Sequence, residues 1–124
     1  MIDDIVIDES EDFERVYVSR HMRYPFPVVT FVTRSSGVTA YFNSLATPLW
    51  GDAVRCAVKI SAHYIVFIPQ KLGNTSKISR VRGTSVVSAT GLTGFIPPKA
   101  SYRAYPYKGG IAIKRFEPLQ EDEE

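Results

Sequence analysis

Residues 28–42 read Val28-Val29-Thr30-Phe31-Val32-Thr33-Arg34-Ser35-Ser36-Gly37-Val38-Thr39-Ala40-Tyr41-Phe42, and this stretch decides the fold class. Val28 to Thr33 is a run of β-branched and aromatic residues of strand length. Such side chains lose rotamer freedom in a helix and pack well on a pleated sheet. Arg34-Ser35-Ser36-Gly37 predicts a tight turn, with Gly37 able to take φ > 0. Val38 to Phe42 resumes the extended pattern. Before the stretch, Pro25 and Pro27 argue against a helix. After it, Asn43 is placed to cap a short helical segment running to Trp50, with Pro48 limiting its length.

Past the Gly51-Asp52 turn, Val54, Cys56, Val58 and Ile60 alternate with Arg55, Ala57, Lys59 and Ser61. That alternation predicts a half-buried strand whose other face carries Arg55 and Lys59. Tyr64 to Ile68 closes a hairpin that Pro69 ends. Residues 70–83 predict a polar connector bounded by glycines. Thr84 to Ala89 reads as a strand, Gly91 as a turn, and Leu92 to Ile96 as another strand stopped by Pro97-Pro98. Tyr102 to Tyr107 is extended, Lys108-Gly109-Gly110 is a hairpin turn, and Ile111 to Phe116 returns. The expectation is a mainly β protein with one short helix, folded as one compact domain over 15–116.

The two halves look alike. Gly37-Val38-Thr39-Ala40-Tyr41-Phe42 matches Gly91-Leu92-Thr93-Gly94-Phe95-Ile96 as Gly-apolar-Thr-small-aromatic-apolar. Each is followed by an Arg-bearing strand, at Arg55 or Arg103, and each unit closes at a proline, Pro69 or Pro118. This spacing predicts an internal repeat of a four-strand unit, over about 28–69 and 84–118.

The first unit resembles the swapped-hairpin domain of the AbrB/MazE-like proteins in its order of strand, turn, strand, short helix, Gly-Asp turn and two closing strands. The ending Tyr102-Arg103 with Gly109 to Phe116 is similar to small proteins of Firmicute mobile elements. The resemblance implies two tandem AbrB-like hairpin units in one domain, and a regulator that binds DNA through a basic face. On the matching positions it points to Arg34 in the first turn and Arg55 on the strand that follows. Where the family ends a strand pair with Ile-Pro and a basic residue, the first unit has Phe42-Asn43; only the second has Ile96-Pro97-Pro98-Lys99. Two tandem copies would make a pseudo-dimer within one chain, so monomer and homodimer are both compatible.

Charge carries the functional reading. All fifteen Lys and Arg lie between Arg15 and Arg115, a stretch whose one acid is Asp52, so the body carries +14. Seven acids fall in an N-terminal tail over 1–14 and five in a C-terminal tail over 117–124. Such asymmetry points to a polyanionic partner, first of all nucleic acid, DNA before RNA. Phosphate contact needs Lys, Arg and hydroxyl donors on one surface. The connector supplies Lys71, Lys77, Arg80 and Arg82 among Thr75, Ser76 and Ser79. Lys99, Arg103 and Lys108 interleave with Tyr102, Tyr105 and Tyr107, a mix suited to phosphate contact and base stacking. Tyr105 and Tyr107 share strand parity; Tyr102 has the opposite parity. Lys114 and Arg115 point to opposite faces of an ideal strand, so the cations do not form one patch. The acidic tails solubilise the body, cover its basic face, or mimic nucleic acid toward a basic partner.

Catalysis is poorly supplied. One body acid gives no carboxylate pair. His21, His63 and the single Cys56 make no metal set. The glycines have no phosphate-loop spacing, and no nucleophile motif stands out. The sequence therefore predicts no catalytic residue, no metal and no cofactor. A lone cysteine predicts no internal disulfide and a reducing cytoplasm, with Cys56 a buried thiol. No apolar run is long enough to span a bilayer, and Met-Ile-Asp-Asp is not a secretory leader. The leading expectation is a non-catalytic nucleic-acid-binding regulator of a phage or mobile element. The alternative is a phage anti-defence inhibitor acting on a host nucleoprotein effector.

Overall fold

Among the described residues nine strands form one antiparallel sheet that curls into a nearly closed barrel. The computed structural model describes residue 10 and residues 24–120. The acidic segment 1–14 apart from Ser10, the following residues to 23, and the last four acids lie outside the described residues. The strands are β1 (Val28–Arg34), β2 (Gly37–Phe42), β3 (Arg55–Ile60), β4 (Tyr64–Pro69), β5 (Ser76–Val81), β6 (Thr84–Ser88), β7 (Lys99–Arg103), β8 (Tyr105–Tyr107) and β9 (Gly110–Lys114). Their order is β7-β1-β2-β6-β5-β3-β4-β9-β8.

The two outermost strands, β7 and β8, are chain neighbours joined through Ala104. The Ala104 amide bonds the Pro27 carbonyl (2.9 Å), which pins that corner to the start of β1. Tyr102 bridges to Pro118, and the Leu119 amide donates to the Ser101 carbonyl (2.7 Å), so Pro118 and Leu119 lie along the outer edge of β7. The narrowest seam is β3–β5, which pair only at Arg55–Lys77 and Cys56–Ser76.

Alternation sends one side of each strand inward. Val29 and Phe31, Val38, Ala40 and Phe42, Cys56, Ile65 and Phe67, Val87, Tyr102, and Ile111 and Ile113 fill the barrel. Phe67 sits amid the rings, with its centroid 5.1 Å from Phe42, 6.1 Å from Phe31 and 6.4 Å from Trp50. Trp50 ends a 3-10 turn, Thr47–Trp50, that plugs one end of the barrel. Its indole N–H donates to Ser85 Oγ (3.1 Å), which also shares a hydrogen bond with Thr47 Oγ1 (2.8 Å). Buried hydroxyls are tolerated there because each has a partner.

Several expectations need correction. The short helix after Asn43 is only this 3-10 turn, because Pro48 leaves no room for more. Asn43 caps the turn that leads into it, as expected, and also serves as a tie to the start of β1. Its Oδ1 accepts from Val28 N (3.1 Å) and Ala46 N (2.9 Å), and its Nδ2 donates to the Phe26 carbonyl. The polar connector 70–83 contains β5. Only Ile78 of that strand is buried, so the segment reads as polar even though it is paired.

Leu92–Ile96 is not a strand. Thr90–Leu92 forms a second 3-10 turn, and the amides of Thr93 and Phe95 bond back to Thr90 and Leu92. Gly91 and Gly94 remove the stiffness that an extended segment needs. Leu92 and Ile96 reach the core from a coiled segment, so their alternation imitates a strand. The repeat partners Gly37–Phe42 and Gly91–Ile96 therefore adopt different structures. The extended run Tyr102–Tyr107 is divided between β7 and β8.

Candidate functional site: a tyrosine-walled groove

The outer faces of β3, β4, β9 and β8 form a groove enclosing about 490 Å³. Register explains its composition. Lys59 lies opposite Val66, Val66 opposite Ala112, and Ala112 opposite Tyr105, so these four form one outward row. Tyr64 faces Lys114 in the next row, and Tyr107 faces Gly110 on the other side. The floor is Val66 and Ala112, both short, so the flanking rings stand above it. Ser61, Ile60 and Pro106 complete the rim.

The rings are available. Tyr64 is 49%, Tyr107 39% and Tyr105 37% exposed. Cations lie over two of them. Lys114 Nζ lies 5.3 Å from the Tyr105 centroid, and Lys108 Nζ 5.4 Å from Tyr107. Arg103 lies 6.0 Å from Tyr105 and 4.4 Å from Phe26. Phe26 in turn lies 5.4 Å from Tyr24. Aromatic rings and cations thus alternate from the groove across the β7–β8 corner to the start of β1. Among the described residues one acid is near: Glu117 approaches Lys114 at 3.9 Å, an exposed pair of small energetic weight.

The structure gathers some of the expected residues and disperses others. Lys59, Arg103, Lys108, Tyr105 and Tyr107 meet at or beside the groove. Arg55 and Lys77 lie side by side across the β3–β5 seam, where Arg55 Nε bonds Thr75 Oγ1 (2.8 Å). Arg80 reaches over the barrel end to the Gly51 carbonyl (3.1 Å). Lys71 is exposed in the β4–β5 loop, and Arg82 at the β5–β6 turn. Arg34 bonds the Tyr41 hydroxyl (2.9 Å) at one end of β1, with Lys99 on neighbouring β7.

Tyr102 is a correction. It is 1% exposed and packs edge-on to Phe31 at 5.6 Å, so it cannot stack on a ligand. Its parity, opposite to that of Tyr105, turns it inward, and burial raises its phenol above the usual range. Burial likewise pushes the Cys56 thiol up to about 11 despite the lowering influence of Arg55, which leaves it protonated and unreactive. Arg115 is occupied structurally. Its Nη1 donates to the Ser61 carbonyl (2.6 Å) and fastens the β3–β4 loop to the end of β9.

Sequence reasoning missed Tyr64, Lys114, Val66, Ala112 and Phe26. Tyr64 shares parity with Val66, which was a usable signal. Nothing local to the sequence shows that β4 pairs with β9.

Lys108 and Arg82 stand at the first central position of two-residue turns, at φ 50° and φ 51°, with Gly109 and Gly83 following at 75° and 85°. Both turns are of the I′ kind that suits hairpin twist, but a long basic side chain is unusual there. Lys108→Asn should raise unfolding stability by about 1 kcal/mol, because Asn tolerates this conformation better. A urea midpoint that fails to rise would show that Lys108 carries no strain.

Among the described residues no group of His, Cys, Asp and Glu is arranged to hold a metal, and no helix is long and apolar enough to cross a membrane. Comparison with known proteins finds no matching family model, no matching curated sequence and no matching solved structure.

Proposed function

We propose that this chain is a small, non-catalytic nucleic-acid-binding regulatory protein of a phage or mobile element, acting in the cytoplasm and preferring DNA to RNA. One observation carries the reading. Between residues 24 and 116 the outer wall displays its cations with Asp52 as the one acid among them. Such a wall attracts phosphate, and each contact releases condensed counterions. The AbrB/MazE-like resemblance supports the regulatory role in the first unit, where β1, β2, the 3-10 turn, β3 and β4 follow in the expected order.

The test is fluorescence anisotropy against duplex DNA, single-stranded DNA and RNA across a salt series. For six to ten phosphate contacts on duplex DNA, log affinity should fall against log salt with a slope of roughly −5 to −9. Lys77→Glu, Arg80→Glu and Arg82→Glu together should weaken binding across sequences and flatten that slope. Unchanged affinity and slope would remove this surface from the site.

A second reading has its own observation. Phe116 is 68% and Phe95 53% exposed, and the Arg115 guanidinium lies 4.9 Å and 5.8 Å from their rings. Aromatic residues around an arginine are characteristic of protein-binding hot spots. This supports an anti-defence inhibitor that docks on a host nucleoprotein effector. A stoichiometric complex surviving nuclease and high salt would favour it over the first reading.

A further inference from the structure

We infer that the groove on β3, β4, β9 and β8 takes single-stranded nucleic acid, with unpaired bases stacked on Tyr64, Tyr105 and Tyr107 and phosphates held by Lys59, Lys108 and Lys114. This rests on the polyanion reading above and narrows it to one ligand class and one face.

Three observations point the same way. The cations that edge this groove favour an anionic ligand, since among the described residues they outnumber the one neighbouring acid, Glu117. The ligand must also offer flat apolar faces. Three tyrosines stand more than a third exposed over a floor of Val66 and Ala112, an arrangement with no use for phosphate alone. In a duplex the bases stack on one another and hide those faces; in a single strand they are free to stack on protein rings. The floor also offers few hydrogen-bonding groups to read base edges, so recognition by stacking should tolerate sequence.

The path out of the groove is marked as well. From Tyr105 the ladder runs to Arg103 and on to Phe26, over the corner where the Ala104–Pro27 bond joins β7, β8 and β1. A strand that follows it meets a ring, a guanidinium and a ring in succession.

The experiment uses the full chain with labelled 12-mers of oligo(dT) and oligo(rU) and a 12-base-pair duplex, compared at low salt and then followed across a salt series. At least one single strand should bind more tightly than the duplex. Tyr105→Ala should weaken single-strand binding about five- to a hundredfold, whereas Tyr105→Phe should stay within about twofold. The salt slope should not change in either variant, because stacking releases no counterions. Tyr64→Ala, on a different strand, repeats the measurement should the β8 edge be disturbed, and circular dichroism verifies each fold. Equal binding of duplex and single strands, or single-strand binding indifferent to both alanine variants, would overturn this inference and leave the backbone-contact reading standing. Absence of binding to all three by the folded chain would overturn both.

Discussion

Phe67→Ala should lower the unfolding free energy by about 3–5 kcal/mol, the range for removing a buried phenylalanine. The ring is fully buried, and its position makes the upper end of the range the expectation. Phe67 belongs to β4, in the half of the wall that bears the groove. Its ring partners are Phe31 on β1, Phe42 on β2 and Trp50 on the plug. Removing it empties the point where opposite sides of the barrel touch, and strands tied into neighbours on both sides have little freedom to collapse inward. Urea unfolding followed through Trp50 fluorescence measures the loss directly. A midpoint shift equivalent to less than about 1 kcal/mol would mean that the core repacks freely and that Phe67 is not its keystone.

Gly110→Ala should cost about 3 kcal/mol and weaken nucleic-acid binding as well. A Cβ at Gly110 would run into the Phe67 carbonyl and stand 2.8 Å from Pro69 Cδ. Backbone cannot swing aside as a side chain can, so β9 must retreat from β4. The same strand carries Ala112 and Lys114, and its displacement opens the groove floor. Gly109→Ala is the informative neighbour. Its Cβ would meet nothing within 4 Å, and its φ of 75° imposes only local strain of about 1–2 kcal/mol. Equal stability losses in the two variants would show that the β4–β9 contact is not the constraint.

The contrast between these adjacent glycines illustrates how much of this protein was legible in its sequence. The Lys108-Gly109 turn is a local property and was read correctly, as were the β-branched strands β1 and β2. β3 is a strand as expected, but its burial does not follow the alternation: Cys56 and Ala57 are both buried, while Val54 and Ile60 are exposed. Local reading failed where a partner supplies what the segment lacks. β5 needs only Ile78 inside because β6 pairs along most of its length. Leu92 and Ile96 carry a strand-like pattern on a backbone folded back by its own hydrogen bonds. The groove shows the same limit. Tyr105 and Tyr107 were recognisable from their parity, but Tyr64, Val66 and Ala112 join them through register between strands distant in sequence. A one-residue slip of β4 against β9 would turn Tyr64 and Val66 inward and dissolve the site.

The pairing of β1 with β7 has a consequence for how the chain is made. β1 leaves the ribosome before its partners, and β2 follows at once to pair with one side of it. The other side waits for β7, since Thr30 meets Ser101 71 positions later. At about 5–20 residues per second, that is roughly 4–14 s of translation with one edge unpaired. An unpaired edge of Val and Phe residues is a template for any other extended chain nearby. The hazard of mis-association for this protein is therefore set by the pace of synthesis more than by the stability of the finished barrel.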